Sequence, residues 1–121
     1  MRKLKLDISA VPRELRAGLR EIAKRRPKSF DSSGAAIQFQ RVRSANPHLD
    51  VRAAGKMITI SYSRAIDAFR GFGRGLRGST GFSESCAFDY LAVLVDCSRN
   101  GVLRPDVAED LLVNLALMGF N

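Results

Sequence analysis

Residues 111–118 read "LLVNLALM", with one polar side chain in eight. They follow Pro105, which suits a first helical turn, and Asp106, Glu109 and Asp110, which place negative charge where the helix dipole favours it. Gly119 then supplies a residue suited to the left-handed conformation that often closes a helix. A helix that is apolar on every side has to be buried on every side. Just upstream, "LAVLVD" (91–96) is a continuous apolar run that does not alternate, the pattern of a strand buried on both faces. The two segments describe a strand, a polar turn and a helix with more apolar surface than residues 1–90 can cover. At roughly 25 cal/mol per Å2, several exposed leucines would forfeit several kcal/mol. The unit is therefore expected to open a larger α/β fold, or to bury helix 106–118 against a second copy of the chain.

The charge balance divides the chain near the same place. Residues 1–83 carry 18 Lys/Arg and 6 Asp/Glu, whereas residues 84–121 carry 2 and 6. The break coincides with "GSTGFSES", a Gly/Ser-rich stretch that reads as a linker. In the basic part, "RKLKLDIS" alternates with Leu4, Leu6 and Ile8 on one face, as in a strand with one wet face. "VPRELRAGLREIAKRR" places Leu15, Leu19, Ile22 and Ala23 on one helical stripe and ends in cations before Pro27. "AIQFQRVR" alternates through Ile37 and Phe39. "HLDVRAAGKMITISYS" reads as a hairpin turning at Gly55, and a second helix covers roughly 63–76. The expected class is α+β: a mainly antiparallel sheet with two helices on one face, in the order β-α-β-β-β-α.

The chemistry-bearing motifs are sparse. Cys86 and Cys97 match no zinc or redox spacing and read as free thiols of a reducing compartment. His48, the only histidine, has no companion ligands, and no metal or other cofactor is expected. "GRGLRG" (73–78) matches G-x-G-x-x-G by letter, but a helix precedes it and a linker follows, the reverse of what a dinucleotide phosphate needs. "RGFGRGLRG" offers Arg70, Arg74 and Arg77 to a polyanion. No apolar run reaches the roughly 20 residues of a membrane span, and no signal peptide is evident, so a cytoplasmic location is expected. At the end of "LAVLVD", Asp96 and Arg99 occupy the place where parallel α/β folds build their sites. Arg99 reads equally as a planar donor to substrate hydroxyls or carboxylate and as a structural arginine, salt-bridged to Asp96 or capping a loop.

The stretch "FDYLAVLVDCSRNGVLRPDVAEDLLVNLALMGFN" resembles the opening of the catalytic barrel of glycoside hydrolase family 20, the β-N-acetylhexosaminidases. The resemblance rests on Asp96-Cys97-Ser98-Arg99 after the buried run and on Ala116-Leu117-Met118-Gly119-Phe120-Asn121 at the helix end; the wording is closest to a bacterial branch. "ITISYSRAIDAFRGFGRGL", with Ala68-Phe69-Arg70, is similar to the last strand and helix of the small α/β domain that precedes that barrel. The resemblance implies an accessory α/β domain at 1–80, a linker at 81–87, and at 88–121 the first βα unit of an incomplete (β/α)8 barrel. It implies Arg99 as a ligand of the non-reducing sugar's hydroxyls, with Asp96 its orienting partner by geometry. In the complete enzyme it implies removal of terminal N-acetylhexosamine by substrate-assisted, retaining hydrolysis. The Asp-Glu pair of that mechanism lies on a later strand and no catalytic residue is present, so the chain is expected to be inactive. Its expected partners are N-acetylhexosamine-terminated glycans in the complete enzyme, and the remainder of the barrel or a second copy over helix 106–118. The alternative is a stand-alone basic α/β interaction module binding nucleic acid or another polyanion.

Overall fold

A computed structural model of the chain describes residues 3–98 and 101–121. These form strands β1 (Leu4–Lys5), β2 (Ala35–Arg41), β3 (His48–Ala54), β4 (Met57–Tyr62) and β5 (Phe82–Ser85), and helices α1 (Arg13–Arg25), α2 (Ala65–Leu76) and α3 (Pro105–Met118). The strands make one sheet in the order β1-β2-β4-β3-β5. β1 pairs with β2, and β2 with β4, in parallel; β3 is antiparallel to both β4 and β5. The class is α+β, but the sheet is mixed rather than mainly antiparallel. The reason lies in the connections. Only the β3–β4 link is a tight hairpin, with Gly55 at φ 58°. The helical crossover through α1 lets β1 and β2 run in parallel, and β2 reaches β4 by way of β3, which lies beyond β4 in the sheet, so that β2 and β4 are parallel too.

The alternation seen in the sequence sets the core. Leu49 and Val51 of β3 and Ile58, Ile60 and Tyr62 of β4 are fully buried, while Asp50, Arg52, Thr59 and Ser61 between them face the other way. The inward residues of α1 (Leu15, Leu19, Ile22) and of α2 (Ala68, Phe72, Leu76) join the same cluster. Phe72 stacks on Phe30 and meets Phe39 at a tilt, both with ring centroids 6.1 Å away. Helix α2 has three glycines in twelve residues, each of which costs about 1 kcal/mol of helix propensity relative to alanine. Packing offsets that cost. A Cβ on Gly71 would lie 2.8 Å from Ile60 Cγ2 and 2.9 Å from Leu49 Cδ1, so the glycine lets the helix backbone rest directly on the sheet.

Two segments depart from expectation. The stretch read as a linker, 81–87, contains β5, which pairs with His48–Val51. Gly81, at φ 86°, turns the chain into it. The run 91–96 forms no strand, and its side chains are exposed, Leu94 at 95%. A strand buried on both faces needs a ladder neighbour, and no described strand pairs with it.

Helix α3 forms as expected. Pro105 and Asp106 open it, and Gly119 closes it at φ 93°, with Phe120 N–H donating to the Leu115 carbonyl at 3.0 Å. It lies on the helical layer, with Leu117 buried beside Gly73. Arg25 of α1 pairs with Glu109 and Asp110, and Arg26 donates to Asn114. The opposite side of α3 stays uncovered, with Leu112 66% exposed and Val107 and Met118 also exposed.

Candidate functional site

Helix α3 runs back toward the start of the segment that precedes it, and one side chain fastens the two. Asn121 Oδ1 accepts from Leu91 N–H at 2.8 Å, its Nδ2 donates to the Asp89 carbonyl at 2.9 Å, and its backbone N–H donates to the Leu91 carbonyl at 3.0 Å. Both hydrogen-bonding ends of one amide are thus spent on holding the head of the apolar run against the tail of the helix. The sequence pattern around Asn121 carried the family resemblance, but nothing in it pointed to this partner thirty residues away.

A second fastening ties the same segment to the sheet domain. Arg64, just before α2, makes a two-pronged pair with the buried Asp67 (2.8 and 3.2 Å) and donates to the Phe88 carbonyl at 3.3 Å. The Cys86 thiol donates to Asp67 Oδ1 at 3.0 Å. Burial, and then the neighbouring Asp67 carboxylate, push the Cys86 thiol above its ordinary pKa. It is held as a protonated donor, the opposite of an activated nucleophile. Cys97 is exposed, and neither cysteine is in a disulfide.

Residues 86–98 and 101–104 adopt neither helix nor strand. Asp96 is exposed, and one of its oxygens accepts from the Ser98 N–H at 2.8 Å. The Ser98 hydroxyl and then its N–H hold the Asp96 carboxyl below the usual carboxylate range. The expected substrate ligand Arg99 lies outside the described residues, so its pairing with Asp96 does too.

The arginines of α2 are brought together, but not as free charges. Arg70 and Arg74 both bind Glu84 of β5, Arg74 at 3.1 Å, and the Arg74 guanidinium lies 4.9 Å from the centre of the Phe82 ring. They staple β5 to α2. Arg77 makes no ion pair among the described residues and borders a cleft of about 570 Å3 between α2, the end of α3 and residues 85–91. The glycines of "GRGLRG" have separate structural uses. A Cβ on Gly73 would stand 3.0 Å from the Leu117 carbonyl carbon and closer still to its oxygen, Gly75 has only ordinary contacts, and Gly78 turns the chain at φ 76°.

Among the described residues, no group of three or more His, Cys, Asp or Glu side chains is arranged to hold a metal ion, and no helix is long and apolar enough to cross a membrane. His48 begins β3, its Nε2 3.5 Å from the Ser83 hydroxyl. Comparison with models of known protein families, with curated proteins and with solved structures finds no match.

Proposed function

We propose that the chain is the amino-terminal part of a β-N-acetylhexosaminidase-like glycoside hydrolase: an accessory α/β domain followed by the first βα unit of a (β/α)8 barrel. In this reading the complete enzyme removes terminal N-acetylhexosamine with the substrate's own acetamido group as nucleophile, and this polypeptide by itself catalyses nothing. Arg99 binds hydroxyls of the non-reducing sugar, and Asp96 helps to orient it.

The observation that carries the reading is the last unit's shape. The apolar run 91–95 and one side of α3 are uncovered, yet Asn121 fastens the run's head to the helix's tail. This closure supports a run and helix already folded back on each other in the manner of a βα unit, with the strand and the remaining apolar surface awaiting further strands and helices. A barrel's active site forms at the carboxyl ends of its strands, which is the side of the run where Asp96 and Ser98 lie.

The test is to read the encoding DNA beyond the Asn121 codon and express the extended polypeptide. The expected outcome is an in-frame continuation into a strand bearing an Asp-Glu pair, and turnover of a chromogenic N-acetylglucosaminide that falls when Arg99→Ala is introduced. The 121-residue chain should show no turnover above blank. A stop codon at that point together with a discrete, cooperatively folding dimer by light scattering and calorimetry would reject the reading in favour of an interaction module that covers α3 with a second copy.

A further inference from the structure

Sorting the cations by what they touch relocates the basic surface. Arg70 and Arg74 share the single carboxylate of Glu84, while Arg64 is paired with Asp67, Arg25 with Glu21, Glu109 and Asp110, and Arg52 with Asp50. Along one face of α1 the opposite holds. Arg13, Arg20 and Lys24 are exposed and make no ion pair among the described residues. Arg16 gives two of its five N–H donors, from Nε and Nη2, to the Val11 and Ser9 carbonyls, at 2.8 and 3.1 Å, and faces no acid among the described residues. At about 100° per residue, positions 13, 20 and 24 fall within about 40° of one line, with position 16 beside it. The row is about 16 Å long at 1.5 Å per residue. The acids of α1, Glu14 and Glu21, lie on its flank and already face Tyr62 and Arg41 or Arg25. Arg25, which meets α3, projects about a third of a turn away from the row.

We infer that this face of α1 docks on the phosphate backbone of double-stranded nucleic acid, with Arg13, Arg16, Arg20 and Lys24 as its four contacts and no base readout. Charge complementarity carries the inference: four like charges on a rigid rod, none offset by an acid, match a rod of phosphates. The alternatives fit less well. The only apolar residue exposed within the row is Ala17, so it lacks the large side chains that seat an interfacial helix in lipid. It has no aromatic platform on which single-stranded bases could stack. The surface is independent of the enzymatic reading, because it uses no residue of the βα unit.

The experiment is fluorescence anisotropy of the full 121-residue chain with a labelled 20-base-pair DNA duplex between 50 and 200 mM salt. Four displaced counterions give a log K against log salt slope of about −3.6, an affinity loss of about 150-fold over that range. The Arg20→Gln/Lys24→Gln variant should halve the slope, leaving a loss of only about 12-fold. Both substitutions are on exposed side chains, and an unchanged circular dichroism spectrum and Tm will show that the fold is intact. Arg77→Gln should leave affinity and slope as they were. Absence of binding at 50 mM salt, an unchanged slope in the double variant, or loss on Arg77→Gln instead would each overturn the inference. So would equal binding of polyglutamate, of a single-stranded oligonucleotide, or of phosphatidylserine vesicles.

Discussion

Gly73 and Gly75 lie two residues apart in α2, and alanine at the two positions should act in opposite senses. Within a helix, Gly→Ala normally stabilises by about 1 kcal/mol, because alanine has less backbone freedom to lose. At Gly75 nothing opposes that gain, since the new Cβ would meet only Ile58 side-chain carbons at 4.0 Å. At Gly73 it would meet Leu117 backbone atoms, at 3.0 Å from the carbonyl carbon and nearer to the oxygen. A helix backbone cannot yield as a side-chain tip can, so α3 has to lift from α2. The lift exposes Leu117, worth about 2 kcal/mol, and loosens the pairs of Arg25 and Arg26 with α3. Gly75→Ala should raise Tm by roughly 4 °C. Gly73→Ala should leave the sheet domain folded but bring the amides of α3 to rapid hydrogen exchange and open residues 101–104 to protease. If Gly73→Ala instead raises Tm as Gly75→Ala does, with the protection of α3 unchanged, the docking of α3 on α2 is refuted.

Three further outcomes are expected. Phe72→Ala removes a fully buried ring held between Phe30 and Phe39, and should cost about 3–5 kcal/mol by urea denaturation. Burial, and then its bond to Glu14, push the Tyr62 phenol up to about 12. Because the folded value exceeds the unfolded value of about 10, the stabilisation is complete below pH 10 and is lost as pH rises toward 12; Tyr62→Phe should flatten that alkaline fall in denaturation midpoints. Asn121→Ala removes two side-chain hydrogen bonds at residues 89–91 and should speed exchange of the Leu91 amide at least tenfold while the midpoint of the sheet domain stays within about 0.5 kcal/mol.

The residues that spoke clearly in the sequence were those whose neighbours are close along the chain. Leu49, Val51, Ile58, Ile60 and Tyr62 alternate, and period two is enough to assign strand and inward face. Leu15, Leu19 and Ile22 do the same at helical spacing. Strand β5 was illegible because "FSES" has a single apolar residue. Its strand conformation comes from pairing with His48–Val51 and from two arginines ten and fourteen residues back. The parallel pairing of β2 with β4 was hidden for a similar reason, since β3 intervenes in the chain but lies beyond β4 in the sheet. In the candidate site, Asp96 read as the orienting partner of Arg99; the partner the structure describes for its carboxylate is Ser98 two residues on, and Arg99 lies outside the described residues. Arg70 and Arg74 read as free cations because Glu84 sits on the far side of a turn, and sequence spacing does not report charge neutralisation through space.

The sheet and the apolar run differ in how they guard against their own kind. The sheet's outer strands are two and four residues long, too short to recruit a foreign strand, and Lys5 stands on one of them. Residues 91–95 have no such guard: "LAVLV" is exposed, rich in β-branched and leucine side chains, and contains neither charge nor proline. The colloidal behaviour of the whole polypeptide therefore sets this run, together with exposed apolar side chains such as Phe88, Tyr90 and Leu112, against a net charge of +8. At low ionic strength the charge keeps copies apart; at 0.15 M salt repulsion fades beyond about 8 Å, and the exposed apolar surface decides. At concentrations far above those of a binding titration, the chain should stay clear in dilute buffer and turn turbid in saline, a property of its exposed apolar surface and not of its fold.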